Sequence, residues 1–559
     1  MTDQTITATP VNAPDILRNQ PLSRQVDISL ETTILEPVSH QYTSANGGRT
    51  TFVLPAKGVL DSPNASIVWE LNTTEADYSS CYTSWAGALG MVRRISCRCG
   101  GTLLSQVENA GMYATIRSNF TTQDEKEGVL DARHGSQNRF ENRIAPAKLT
   151  VGADRVEFQQ LYNTSLDQTS SYGQTTLTSV VGGGRTTAPN THEAERPIRF
   201  RQTAGTGFEA VVKLSDLFEF FSENKLPLLA MAQVEIEIEW ANCGDVNVLA
   251  NNIVESAVRD AIIPNSALNN PARTNQGLVS MVQPTMILDY IHYDDVERQK
   301  IFDAVNSGGG MRLDFSEVVL TRGINPAGSV APGGANNLYE VVASNHIIGM
   351  AQKEVKKIYV VKQYDSVSAT GSAEANGDLG EVQVHRNPAL QQFKSTQILG
   401  ERYNWFINNQ RVYDRDVENP ATAHNYLSQC GGNWYCPQAY FNTTNYNATA
   451  CKQLLDASFS DGAITQNHNQ GRTKRYLAGE QNVIGLSLDK VRAMGSAVGN
   501  GTRIGSAPIE FNYSRVAEAK SAGNGGALAS ALAEVNLDFY ICYRRSLIIR
   551  ALGLDVSDA

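Results

Sequence analysis

Val234-Glu235-Ile236-Glu237-Ile238-Glu239-Trp240 alternates apolar and charged side chains without a break. Successive side chains of a strand point to opposite faces of its sheet, so this stretch predicts a half-buried antiparallel strand. Val234, Ile236, Ile238 and Trp240 would face a core, and the three glutamates would line a solvated or interface face. The same period recurs along the chain. Val26, Ile28 and Leu30 alternate with Asp27, Ser29 and Glu31; Ile67, Trp69 and Leu71 follow the rule; Met311, Leu313 and Phe315 alternate with Arg312 and Asp314; and Val535-Asn536-Leu537-Asp538-Phe539-Tyr540-Ile541 repeats it near the end. Asp538 is expected on an exposed face, like Glu237.

Gly-, Asn-, Ser- and Pro-rich connections separate these runs, at 45–48, 181–189 and 323–337. Breakers of this kind favour sheets joined by long loops. The Thr- and Ser-rich stretch 163–196 lacks apolar periodicity and reads as a long exposed loop. Helices are few and short. Ser215 is the expected N-cap of a helix over 216–222, and 294–306 carries an apolar stripe of Val296, Ile301, Phe302 and Val305, ended by Gly308 to Gly310. A third is expected over 489–497.

The two halves correspond. Ala210-Val211-Val212-Lys213-Leu214 leads into a short helix and then into the strand ending at Trp240, while Ile484-Gly485-Leu486-Ser487-Leu488 leads into a short helix and then into the strand from Val535. With 559 residues the chain exceeds the roughly 250–300 at which one core stops growing. The fold class read from these features is all-β, with two large sandwich domains. Their expected limits are an N-terminal arm over 1–20, a first unit over 21–242, a polar linker over 243–283 and a second unit over 284–559.

Composition narrows the function. A net charge of −10 argues against strong direct nucleic-acid binding, which depends on Lys and Arg neutralising phosphates. No apolar run reaches the ~20 residues of a membrane span, and the polar stretch 1–10 lacks the features of a secretory signal, so synthesis in the cytosol is expected. The eight cysteines are scattered, and most read as buried thiols. The eight Asn-x-Ser/Thr sites match what an Asn- and Thr-rich chain contains by chance.

Catalytic constellations are not found. There is no Walker A loop or G-x-S-x-G elbow, and Gly499, Gly501 and Gly505 miss the dinucleotide spacing. His192-Glu193 is followed by Arg196 where a zincin needs its second histidine. Cys97 and Cys99, two apart on a strand face, read as small buried side chains; Cys430, Cys436 and Cys451 lack histidines at finger spacing. Asp294 with Asp295, or the Glu235 series, are the carboxylate pairs a glycosidase reading would use. Lys356-Lys357 and Arg544-Arg545 are basic pairs that face either a genome or another subunit. The expectation is a non-enzyme with no catalytic, cofactor or metal residues and no cofactor.

Three segments together carry a family resemblance. They are Gly207 to Leu214 with Asp216-Leu217-Phe218, Pro227-Leu228-Leu229 and the strand to Trp240; Pro284-Thr285-Met286-Ile287-Leu288-Asp289-Tyr290 through Lys300; and Tyr403-Asn404-Trp405-Phe406-Ile407 through Asp414, followed by Pro420 and Tyr426-Leu427. In combination, and with a short helix near 14–19, they resemble the double jelly-roll major capsid proteins of icosahedral DNA viruses of eukaryotes, virophages and polinton-like viruses especially. The first segment looks like the close of a first jelly roll and the second like the entry to another. The resemblance implies two tandem eight-stranded jelly rolls and a homotrimeric, pseudo-hexagonal capsomer. It also implies a virion shell around a double-stranded DNA genome, with neighbouring capsomers, penton and minor capsid proteins as partners. The alternatives are a carbohydrate-binding or carbohydrate-cleaving β-sandwich, which an exposed aromatic platform or a carboxylate pair in a cleft would favour, and a viral spike or fibre, which two similar sandwiches argue against.

Overall fold

The computed structural model describes residues 10–18, 22, 25–43, 46–73, 87–122, 125–130, 133, 207–241, 279–326, 328–330, 339–364, 394–395, 402–418, 420–432, 480–481, 483–489, 501–518, 520–521, 527–528, 530–532, 535–551 and 553–558. The expected loop 163–196 and most of the expected linker and of the helix over 489–497 lie outside the described residues.

Sixteen strands carry the architecture. The first eight are β1 (Ile28–Leu35), β2 (Gly47–Leu54), β3 (Ser66–Thr73), β4 (Val92–Cys99), β5 (Thr102–Glu108), β6 (Gly207–Lys213), β7 (Val234–Trp240) and β8 (Val279–Tyr293). They form two antiparallel sheets in the orders β1-β8-β3-β6 and β2-β7-β4-β5. The next eight are β9 (Met311–Asn325), β10 (Tyr339–Ile348), β11 (Glu354–Tyr364), β12 (Arg402–Ile407), β13 (Gln410–Arg411), β14 (Val483–Ser487), β15 (Ile509–Glu518) and β16 (Val535–Arg550). Their sheets run β9-β16-β11-β14 and β10-β15-β12-β13. Adding eight to each strand of the first unit yields the second. Each unit is an eight-stranded jelly roll.

Among the described residues five α-helices accompany them: α1 (Ala110–Ser118), α2 (Leu214–Leu217), α3 (Glu219–Glu223), α4 (Asp295–Asn306) and α5 (Pro420–Ser428). α1 and α5 occupy the same position in the two units, after β5 and after β13.

Each core forms where its two sheets face one another. Trp69 of β3 meets Trp240 of β7 edge-on at 5.0 Å, and the Trp240 indole N–H donates to Thr50 Oγ1 of β2 at 2.7 Å. In the second unit Phe539 of β16 meets Phe511 of β15 at 5.6 Å. The alternation in β7 holds as expected: Val234, Ile236, Ile238 and Trp240 are buried, and the glutamates lie on the other face. They are not a bare acidic row. Arg49 of β2 lies 3.3 Å from Glu237, and Arg94 of β4 lies 2.8 Å from Glu239, so opposite charges stand across the ladder. Gly48 belongs to this sheet for a steric reason. The edge strand Ser39–Thr43 passes so close that a Cβ at Gly48 would stand 1.9 Å from the Gln41 carbonyl oxygen.

Several expectations are corrected. The stretch 284–293 does not open the second unit; as the end of β8 it is hydrogen-bonded between β1 and β3 and closes the first jelly roll. The division between units therefore falls in α4, since a jelly roll needs its eighth strand in the centre of a sheet. The strand from Val535 likewise matches β8 and not β7, whose counterpart is β15. Ser215 does not cap a helix: its hydroxyl donates to the Pro63 carbonyl, and extended Phe218 breaks the segment into α2 and α3. In α4 the N-cap is Asp294, which accepts from the Glu297 N–H at 2.9 Å. Ile301 and Val305 are buried there, but Val296 faces out. The arm is tied to the second unit, with Val11–Asn12 running parallel to the start of β9.

Connections after odd-numbered strands leave at one end of each sandwich, because consecutive strands run in opposite directions. The four longest are of this kind: 109–206 and 241–278 in the first unit, and 365–401 and 412–482 in the second. The turns 100–101, 349–353 and 408–409 lie at the opposite ends.

The orientation of β7 is testable by denaturant unfolding. Ile238→Asp places an unpaired charge in the core and should cost about 4 kcal/mol or more, enough to abolish soluble folded protein. Glu237→Gln should change stability by no more than about 1 kcal/mol.

Candidate functional site

The jelly rolls meet along a seam built from α1, α3 and β5 on one side and β9, β11 and β16 on the other. A strand in a sandwich normally buries one face; here the second face of the β9-β16-β11-β14 sheet is buried as well. Tyr113 of α1 stacks on Tyr540 of β16 at 5.8 Å and lies 6.5 Å from Tyr359 of β11. Phe120, just after α1, meets Tyr359 at 5.7 Å, and Phe220 of α3 meets Phe315 of β9 edge-on at 4.8 Å. Val318, Val361 and Cys542 are buried on this face.

Charged groups are threaded through the aromatic contacts. Glu223 of α3 accepts from the Ser316 N–H at 2.6 Å, the Ser316 hydroxyl at 2.8 Å and the Lys356 ammonium at 3.1 Å. Lys356 also donates to Ser316 Oγ at 2.7 Å. Burial works against the Lys356 charge, but Glu223, with Cys542 and Glu219 beside it, outweighs that and holds its pKa above the ordinary value. Beside this pair, Glu219 accepts from the Tyr113 hydroxyl at 2.6 Å and lies 3.1 Å from the Arg117 guanidinium. Burial raises the Glu219 carboxyl, but Arg117, Lys357, the Tyr113 hydrogen bond and Lys356 together more than reverse that, and the net value falls to about 2.

Glu317 of β9 crosses to the first unit, accepting from the Ser105 hydroxyl and the Gln106 N–H, both at 3.1 Å. Burial pushes its carboxyl up to about 7, against the Gln106 hydrogen bond and Arg545 at 3.7 Å. Asn224 donates to the Asp314 carbonyl at 2.7 Å, and the Asp314 carboxylate holds Arg544 at 2.7 Å and Ser546 at 2.6 Å.

These placements revise several sequence readings. Lys356, Arg544 and Arg545 are drawn into ion pairs in the seam region, with Lys357 half-buried beside them. Asp538 is not exposed like Glu237. It is 4% exposed, its carboxyl raised by burial, and Arg322 approaches it at 3.3 Å, because the outer face of β16 is covered by the first unit. Cys97 and Cys99 sit in the first core, where burial pushes both thiols up. Cys430 is buried just after α5. Cys436, Cys451, His192, Glu193, Arg196 and Gly499 lie outside the described residues. Asp294 caps α4 and Asp295 pairs with Arg298 at 2.6 Å, so neither forms a carboxylate pair across a cleft. Trp69, Trp240 and Trp405 are fully buried and offer no aromatic platform.

Sequence reasoning missed Glu219, Glu223 and Glu317. For Glu317 a signal existed: it continues the apolar register of Met311, Leu313 and Phe315, and a charge in an apolar register marks a buried polar contact. Among the described residues no group of three or more His, Cys, Asp or Glu is placed to hold a metal ion, and no helix is long and apolar enough to cross a membrane.

No protein-family model matches the chain, and no curated protein matches it. Solved structures do resemble it along nearly its whole length. The quasi-atomic model of the PBCV-1 virus capsid is 12% identical and aligns over 97% of this chain and 99% of that one, with a TM-score of 0.49. The cryo-EM structure of the Sputnik virophage is 12% identical over 100% and 95%, with a TM-score of 0.45. The mavirus major capsid protein is 11% identical over 98% and 95%, with a TM-score of 0.44.

Two experiments test the seam. Lys356→Met leaves the buried Glu223 carboxyl without its cation and should lower stability by about 3–5 kcal/mol, while adding Glu223→Leu should recover most of that loss in urea unfolding. Glu317 retains its proton in the folded chain up to about pH 7, against an ordinary carboxyl value of 4.5. The folded state then binds more protons than the unfolded state between these values, so stability from this group falls as pH rises from about 4.5 to 7. Glu317→Gln should flatten the melting temperature over that window.

Proposed function

We propose that this chain is the major capsid protein of a double-stranded DNA virus, a structural unit whose work is done by shape and interfaces and not by catalysis. The observation that carries this reading is the duplicated jelly roll joined by a buried seam. Two similar lobes held side by side present six lobes when three copies close around an axis, and a six-lobed outline packs hexagonally into a sheet or a curved shell.

Further support comes from where the sequence spends its length. The four longest connections leave each sandwich after odd-numbered strands, so they would crown one surface of the shell. The net charge of −10 fits a protein that encloses a genome without coating it. Penton and minor capsid proteins would complete the icosahedral particle, with synthesis in the host cytosol preceding assembly into the virion. The buried tryptophans and the absence of a carboxylate cleft among the described residues give the carbohydrate-active alternative no support.

Light scattering on the purified chain tests this. The expected mass is about three times the 60.8 kDa of one chain, persisting on dilution because an obligate interface buries about 2,000 Å² or more. A stable monomer at micromolar concentration under every ionic condition would remove the capsid reading.

A further inference from the structure

β5 is an edge strand of the β2-β7-β4-β5 sheet, so one row of its backbone groups points away from that sheet. The Gln106 N–H belongs to this row and donates across the seam to Glu317 of β9, with the Ser105 hydroxyl beside it, both at 3.1 Å. Both donors reach the same carboxyl oxygen, Oε1. The other oxygen, Oε2, is buried and accepts no hydrogen bond among the described residues. The Arg545 guanidinium of β16 stands 3.7 Å from it, beyond hydrogen-bond reach. Cys97 of β4 also faces this carboxyl, and a charge on Glu317 raises its thiol, which therefore stays neutral. The neighbouring Val318 N–H completes the surroundings. Glu223, in the other part of the seam, is served differently, by an N–H, a hydroxyl and an ammonium within 3.1 Å. Glu317 has no bonded cation, and its side chain is only 4% exposed. Such a site accommodates an uncharged carboxyl far better than a carboxylate.

We infer that Glu317 is a pH-operated latch between the two jelly rolls: uncharged, it seats against the edge of β5, and once ionised it draws water into the seam and parts β5 from β9 locally. The direction follows from burial, which keeps the proton on the seated carboxyl up to about pH 7, whereas the exposed carboxyl of the parted seam loses it near 4.5. Between these values the seated form binds more protons than the parted form, so the latch is tightest in acid and weakens as pH rises through the window. The aromatic contacts of Tyr113 with Tyr359 and Tyr540 carry no charge there, since burial holds all three hydroxyls well above their ordinary range. The parting is therefore confined to the β5 edge, and the lobes remain joined. The latch is a property of the single chain and is independent of the capsomer reading.

Gln106 is the reporter, because its N–H is bonded across the seam and not within its own sheet. Hydrogen exchange of the full chain, read residue by residue by mass spectrometry and corrected for the intrinsic effect of pH, is the measurement. Protection at Gln106 should fall at least about tenfold between about pH 5 and about pH 8, while protection at Ile236 in the centre of β7 stays constant. Glu317→Gln keeps an accepting oxygen and cannot ionise, so its Gln106 protection should stay level over the same range. Ser105→Ala removes a donor that favours the charged form and should move the midpoint of the fall to higher pH. Level protection in the parent, or an equal fall in Glu317→Gln, overturns the inference. Should Glu317→Gln fail to fold, the Ser105→Ala midpoint decides, and one that is unmoved or lower overturns it.

Discussion

The burial of Tyr359 and Tyr540 against Tyr113 is the contact on which the arrangement of the two jelly rolls depends. A sandwich hides the inner faces of its sheets and leaves the outer ones to water. The outer faces of β11 and β16 carry Tyr359, Val361, Tyr540 and Cys542, so the second sandwich needs a cover for its outer face. The cover is α1 with Phe120, which follows β5 of the first sandwich. Aromatic side chains remove much area from water and restrict how the partners can rotate about one another. The two lobes therefore sit in one defined orientation.

The charges in the seam act differently. Lys356 with Glu223, and Glu317 with Ser105 and Gln106, are costly to bury, and hydrophobic residues of similar volume would be at least as stabilising. Their contribution is directional. Glu317 finds its hydrogen-bond donors only when β9 lies against Ser105 and Gln106 of β5, and any sliding of one lobe strands a buried carboxyl.

The repeat also explains why the second jelly roll is not a copy of the first in its surface chemistry. Strand for strand the topology is the same, but the outer faces of corresponding sheets have different neighbours. The first unit's sheet presents Leu30 and Ile34, and the second unit's sheet presents Tyr359, Tyr540 and Val361 to the seam. On the facing sheets the first unit pairs Glu237 and Glu239 with Arg49 and Arg94 across the strands, which suits solvent.

The sequence by itself determined that this is an all-β chain of two large units, and in β7 it determined which side chains enter the core. Both follow from the period of two, a local property of the backbone. It did not determine which strands are neighbours, since hydrogen bonding across a sheet joins residues far apart in the chain. That is why β8 reads as the start of a second unit although it pairs with β1 and β3, and why β16 reads as the counterpart of β7 although it matches β8. Nor did it distinguish Glu237 from Asp538. Both alternate with apolar residues in the same way, and only the tertiary structure lays another jelly roll over the face that bears Asp538 and leaves water over the face that bears Glu237.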